Sequence, residues 1–218
     1  MAENNQIKQN NEDGVHVSEG SSLEIRNCNI EENTLSGIGV YSESNIIAEE
    51  CNVNNNKHYG ICVDASTSPL LQKNNIESNE WAGVIVRGTA SRIESIADCD
   101  IKNNKTYGLY CSEGGFFNAE RIKTNGNTND GIRITGSNSE GKISDSESSG
   151  NLLNGIVVID GGNLSLLENL YISGNTKHGI AIYKESSTGT PGEGIVSENN
   201  GEKQIYVEEG ANTTLITN

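Results

Sequence analysis

The chain has 218 residues, 33% of them apolar and only two of them proline, enough apolar material for one sizeable core and too much for a disordered chain. Its formal net charge of −15 is spread along the whole length without a basic stretch, so phosphate contacts through clustered Lys and Arg have no home and nucleic acid is not expected as a partner. No apolar run approaches the roughly 20 residues needed to span a bilayer, and residues 1–22 lack the basic and apolar blocks of a signal peptide. These features predict one soluble domain, 1–218, with no membrane partner; the cytoplasm is favoured and export is not excluded.

In chain order, the short segments DGVHV, SGIGV, YGICV, AGVIV, YGLYC, DGIRI, NGIVV and HGIAI repeat one pattern. Their glycines are Gly14, Gly37, Gly60, Gly83, Gly108, Gly131, Gly155 and Gly179, at steps of 23, 23, 23, 25, 23, 24 and 24 residues. A ninth copy, KQIYV, carries Gln204 in place of glycine. Four residues before each position stands an asparagine: Asn10, Asn33, Asn56, Asn79, Asn104, Asn127, Asn151, Asn175 and Asn200. The first and third residues after each glycine are apolar or Cys while the second varies, the alternation of a strand with one buried face.

Each period holds two further alternating pieces, such as Leu23 and Ile25 followed by Cys28 and Ile30. Three strands per period predict an all-β fold: a right-handed single-stranded parallel β-helix of about nine coils of 23–25 residues, with neighbouring coils roughly 4.8 Å apart. Stacked Ile, Val and Leu columns supply the core, and the asparagines, which tolerate left-handed backbone and bond amide to amide, suit a corner between strands. A leucine-rich repeat is disfavoured because neither its Leu consensus nor a helix in each period is visible.

This pattern of Asn, three residues, Gly, Ile or Val, any residue, then Val or Ile resembles the right-handed parallel β-helix repeat family, also called the CASH domains. That family includes the pectin-lyase-like enzymes and the β-helix domains of some F-box proteins. The resemblance covers nearly the whole chain and implies the fold; the shared residues are scaffold and imply no activity by themselves.

Motifs that carry chemistry in related enzymes are incomplete. Arg121 to Lys123 (RIK) matches a fragment of the polygalacturonase signature, yet no Asp-Asp and no Gly-His-Gly precedes it. The Asp-Pro-His element of alginate epimerases and the one-face carboxylate cluster of calcium-dependent pectate lyases are also missing. His16, His58 and His178 sit at different offsets from their glycines and read as separate surface histidines. Cys28, Cys51, Cys99 and Cys111 fall in inward columns, whereas Cys62 alone is expected to point outward and to react promptly with a thiol reagent. No Cys/His spacing suggests zinc, and neither a metal nor a cofactor is implied. Of three N-x-S/T sequons, at Asn104, Asn163 and Asn212, the first is a ladder residue and its match is accidental.

The candidate ligand-binding residues are the outward aromatics and cations of four consecutive coils: His58, Tyr59, Trp81, Arg87, Tyr107, Tyr110 and Arg133. Aromatic faces flanked by Arg stack on sugar rings or anchor a protein partner. Arg87 is also one coil from Asp64 at the equivalent position, so a cross-coil ion pair is the plain expectation for it. The sequence ends within coils, at Ile7 and Leu215 of inward columns, which predicts continuation into a longer solenoid, end-to-end self-association or cover by a partner. Three functions stay open: a non-catalytic binding module for a carbohydrate or protein, a polysaccharide lyase, hydrolase or epimerase, and a structural rod.

Overall fold

The computed structural model describes residues 1–65, 69–188 and 192–213. Each coil crosses three sheets in turn, as Ser22–Arg26, Asn29–Glu31 and Ile38–Tyr41 do in the second. The strands assemble into three nine-stranded parallel sheets, here called the first, second and third in the order in which each coil crosses them. In the third sheet, Ile38 pairs with Ile61, Ile61 with Val84, Val84 with Leu109, Leu109 with Ile132, and Ile132 with Ile156. A register of one period therefore places like on like. The core is the stack of inward residues, Ile25, Ile30, Val53, Ile76, Ile101, Ile134 and Ile143 among them, all fully buried. Among the described residues no helix is long and apolar enough to cross a membrane. Leu215 lies outside the described residues.

Two of the three corners turn on one residue. Between the first and second sheets it is Asn4, Asn27, Glu50, Lys73, Asp98, Arg121, Asp145 or Asn169, each with φ between +49° and +57°. Facing charges on successive coils pair along this corner, with Lys73 3.2 Å from Glu50 and Arg121 2.7 Å from Asp98. Exposed pairs of this kind contribute little each, about 0–1 kcal/mol. Between the second and third sheets the left-handed residue directly precedes each ladder asparagine, for example Glu32 before Asn33 and Ser78 before Asn79. The expectation that the ladder asparagines themselves take left-handed backbone is thereby corrected. Their role is hydrogen bonding: by letting the residue before it turn the chain, each asparagine aims its amide along the rod.

The ladder is continuous from Asn10 to Asn200, with Nδ2 of each asparagine donating to Oδ1 of the next over 2.8–3.1 Å. Asn79 shows the full set. Its Nδ2 donates to Asn104 Oδ1 and to the Val53 carbonyl, both at 3.1 Å, and its Oδ1 accepts from the N–H of Asn56 at 3.1 Å and from Asn56 Nδ2 at 3.0 Å. No hydrogen-bonding capacity is left over in a buried amide, which is the condition for burying it at low cost.

The ladder also explains the repeated glycine. A Cβ at Gly60 would lie 2.5 Å from the Gly83 carbonyl oxygen and 2.8 Å from Asn79 Nδ2 of the next coil, so only glycine lets the coils close to β spacing. At the ninth copy the side chain of Gln204 takes over: its Oε1 accepts from Asn200 Nδ2 at 2.8 Å and from the Asn200 N–H at 3.3 Å, where the next asparagine oxygen would stand.

Replacing Asn79 by Ala is expected to lower the unfolding free energy by about 3 kcal/mol or more, since several buried partners lose their bonds at about 1–3 kcal/mol each. The side chain of the adjacent, exposed Glu80 forms a surface ion pair with Lys105 at 2.5 Å, so Glu80→Ala should cost well under 1 kcal/mol. Denaturant melts of the two variants check this, and equal shifts would contradict the ladder's role.

Candidate functional site

The outer face of the third sheet is unlike the other two. Its middle outward column runs His16, Gly39, Cys62, Ile85, Tyr110 and Arg133, each in register with the next. Beside it, two residues further along each strand, run Tyr41, Asp64 and Arg87. On the opposite flank, at the corner before each strand, stand His58 and Tyr59, Trp81, and Tyr107.

All seven candidate residues share this face. The His58 ring lies 4.0 Å from Tyr59 and 5.2 Å from Trp81, and Tyr59 meets Trp81 edge-on at 6.0 Å. Tyr107 and Tyr110 are 4.9 Å apart, and the Arg133 guanidinium sits 5.5 Å from the Tyr107 ring while its Nη1 is 3.0 Å from Asp130. Arg87 Nε donates to Asp64 over 2.9 Å, the plain ion pair expected. Trp81 is 50% exposed, as a corner position requires.

Beneath this patch lies a second, small apolar core outside the rod. It is made of Tyr59, Cys62, Ala82 and Ile85, with Tyr41, Tyr107 and Tyr110 packed on it. Two expectations change in consequence. Cys62 points outward, yet it is only 2% exposed, because it packs in the small apolar core with Tyr59 of its own coil and aromatic side chains of other coils. Tyr59 is 7% exposed and supports Trp81 from below instead of flanking it as part of an exposed ridge. Strand alternation gives only the direction of a side chain; what its outward neighbours do is decided by their lengths and rotamers.

The other cysteines lie where the inward columns put them: Cys28, Cys51, Cys99 and Cys111 are buried, and all five thiols are free. Asn104 is fully buried within the ladder, so its sequon is inaccessible in the folded chain.

None of the three histidines is isolated: His58 packs on rings as above, and the other two have polar partners. His178 is buried, with Nε2 3.1 Å from Glu202, Nδ1 accepting from the Lys203 N–H at 3.3 Å, and its ring stacked on Tyr206 at 4.8 Å. His16 Nδ1 is 3.0 Å from Asp13 Oδ2, and its ring is 4.9 Å from that of Tyr41.

Electrostatics follow from this packing. Burial, aided by the Arg87 charge, holds the His58 imidazole below its ordinary pKa, favouring the neutral ring. Burial raises the Tyr59 phenol. Burial, with the nearby Cys62 and Asp13, pushes the Tyr41 phenol far above the ordinary range. The Cys62 thiol is raised to about 11, again chiefly by burial.

Sequence reasoning missed Tyr41, Asp13 and Asp130. Tyr41 reaches its place only because Gly39 leaves room: a Cβ there would lie 2.4 Å from both Tyr41 Cε2 and Asp13 Oδ2. The signal for the aspartates was present as an Asp before the glycine and a partner three residues later. Asp13 with His16 and Asp130 with Arg133 are equivalent pairs in which the corner carboxylate orients the middle outward side chain.

The fold defines the class. Residues 1–140 match the family model described as right handed beta helix region, and the chain belongs to that family. Comparison with curated proteins by sequence gave no match. Among solved structures, the chain is similar to the periplasmic alginate epimerase AlgG, with TM-score 0.63 and 17% identity, over 89% of this chain and 47% of that one. It is also similar to the A-modules of two Azotobacter vinelandii mannuronan C-5 epimerases. One matches at TM-score 0.61 and 14% identity over 99% of this chain and 58% of that one. The other matches at TM-score 0.58 and 15% identity over 94% and 62%. The chain thus spans about half to three fifths of the length of these structures, and the likeness is one of fold. Among the described residues no group of three or more His, Cys, Asp or Glu is placed to hold a metal ion.

Two outcomes are expected from this geometry. In native protein all five thiols should label slowly, and Tyr59→Ala should make Cys62 the first to react, which mass spectrometry of alkylated peptides reads out. By NMR, His58 should titrate below the ordinary His value of about 6.5, and Arg87→Gln should move its midpoint upward. Because the folded state then binds fewer protons than the unfolded chain, the His58 contribution to stability falls as pH drops through the ordinary histidine range.

Proposed function

We propose that the chain acts on an acidic polysaccharide held across the outer face of the third sheet, with a sugar ring stacked on Trp81 and a uronate carboxylate neutralised at Arg87. The observation that carries this reading is the exposed Trp81 standing on an apolar base, on a sheet face that also carries the guanidinium groups of Arg87 and Arg133, a combination suited to a flat ring that carries a negative charge. The similar structures act in the same sense: their names describe epimerases of alginate and mannuronan. The neutral imidazole of His58, close to Trp81, adds a group able to take a proton at working pH.

The second reading is a non-catalytic carbohydrate- or protein-binding module. It is favoured by the pairing of Arg87 with Asp64 and of Arg133 with Asp130, which ties both cations to the scaffold, and by the missing Asp-Pro-His element.

Trp81 is the chain's only tryptophan, so its fluorescence reports directly on the site. Titration with uronate oligosaccharides is expected to change its emission, and Trp81→Ala to weaken binding by about 2 kcal/mol or more, as hot-spot aromatics do, with the melting temperature nearly unchanged. NMR of the bound sugar over hours then separates the readings: altered C-5 stereochemistry or an unsaturated uronate marks an enzyme, and an unchanged ligand marks a module. Emission that stays constant across acidic and neutral glycans alike would remove the polysaccharide reading and leave the structural rod ahead.

A further inference from the structure

The position directly before the repeated glycine carries a second, shorter ladder in the later coils of the third sheet. There a side chain of one coil accepts the N–H of the equivalent residue in the next: Asn154 N–H to Asp130 Oδ1 at 3.0 Å, His178 N–H to Asn154 Oδ1 at 3.2 Å, and Lys203 N–H to His178 Nδ1 at 3.3 Å. The last acceptor differs in kind from the first two. A carboxylate or amide oxygen keeps an acceptor lone pair at any ordinary pH, whereas in the imidazolium form of histidine both ring nitrogens are donors. No rotation of the protonated ring restores an acceptor to the Lys203 N–H.

The surrounding packing fixes the ring in this orientation. Because Nδ1 accepts, Nε2 carries the proton and donates to Glu202 at 3.1 Å, while the ring face is stacked on Tyr206 at 4.8 Å with the two planes 10° apart. The side chain of His178 is 10% exposed and that of Glu202 is 53% exposed, so the imidazole is shielded from water while its acidic partner is solvated. The charged groups facing the ring are Lys177 from its own corner, and Glu202 and Lys203 from the corner of the next coil. Tyr206 is the titratable group of the adjoining strand, Tyr183 stands 5.5 Å from Tyr206, and Asn154 of the preceding coil is uncharged. Burial holds the imidazole below its ordinary pKa; Glu202 opposes this, and the two lysines add to it.

We propose that His178 is a proton-controlled latch between the eighth and ninth coils: neutral, it closes their corner on the Lys203 N–H, and protonated, it releases that corner at residues 202–204. The latch is independent of the polysaccharide reading. The folded state binds fewer protons than the unfolded chain, so the latch contributes fully above about pH 6.5, the ordinary histidine value, and its contribution falls as pH drops below it. The next bonds along the corner are those of the Gly179 and Ile180 N–H groups to the carbonyls of Lys203 and Gln204, at 2.9 and 3.0 Å. These are expected to loosen after the Lys203 N–H, in that order.

The test is amide hydrogen exchange in the full chain between about pH 7.5 and 5, corrected for intrinsic rates, with the ring-nitrogen NMR shifts of His178 read on the same samples. At the upper end His178 is expected as the Nε2–H tautomer. Protection of the Lys203 amide should fall at least about 10-fold as His178 gains its proton, the scale of one buried hydrogen bond lost, while the Val84 amide in the fourth coil stays protected. His178→Asn supplies the same acceptor that Asn154 provides one coil earlier, and should keep Lys203 protected across the whole range. Glu202→Gln should lower the pH of the His178 titration and of the release together, because Glu202 is the charge that favours the imidazolium. Constant protection of Lys203 while His178 titrates overturns the latch, as does a ring that stays neutral throughout the range or carries its proton on Nδ1 at neutral pH. Equal loss of protection in wild type and His178→Asn, or exchange at Lys203 and Val84 rising together, overturns it in favour of general acid melting.

Discussion

The contact on which everything else depends is the fit of one coil's glycine against the next coil's asparagine. A side chain at Gly60 would collide with the Gly83 carbonyl and with Asn79 Nδ2, so glycine at this position permits the coils to approach at β-ladder distance. That approach brings each asparagine amide within bonding distance of its successor and lets the backbone groups of all three sheets pair. Once the spacing is set, inward residues stack in columns and outward residues stack too, which turns a one-dimensional sequence period into continuous surfaces.

The outer face of the third sheet carries a second packed layer on these columns. Small residues in its middle column, Gly39 and Cys62, allow Tyr41 and Tyr59 to fold inward over the sheet, and the result is a stiff apolar layer carrying Trp81 above it. Ring contacts among His58, Tyr59 and Trp81 tie the exposed groups to this base. The two corner aspartates, 13 and 130, do the same for one histidine and one arginine by an identical hydrogen-bond geometry, Oδ1 to the next coil's N–H and Oδ2 to the side chain three residues on.

The charge of the whole chain bears on an acidic ligand. A net −15 repels a polyanion at long range, but at physiological ionic strength that repulsion is screened beyond about 8 Å. Many of the cations are paired with acids of their own or a neighbouring coil, as in Arg26 with Glu49 and Lys102 with Glu77, so the surface is largely a mesh of local pairs. On the proposed reading, an acidic ligand would therefore be held by short-range contact: stacking on Trp81, and competition by its carboxylate for Arg87 against Asp64.

The sequence alone determined the solenoid, its coil number, the inward columns including Cys28, Cys51, Cys99 and Cys111, and which coils carry outward aromatics at the third sheet. It could do so because all of these are consequences of a period: a residue's offset from its glycine fixes which sheet it joins, which way it points and which residues lie above and below it. Tertiary structure decided what the period leaves free. Whether Cys62 is open or covered depends on how Tyr59 of its own coil and Tyr41 of the neighbouring coil pack around it, and whether His16 is a lone surface group or one held by a buried carboxylate depends on a rotamer of Asp13 made possible by Gly39. Even the left-handed turn passed to the neighbour of each ladder asparagine, because the amide had to lie along the rod axis and only the preceding residue was free to bend the chain. Side-chain reach between coils is set by packing in three dimensions, and no offset along the chain encodes it.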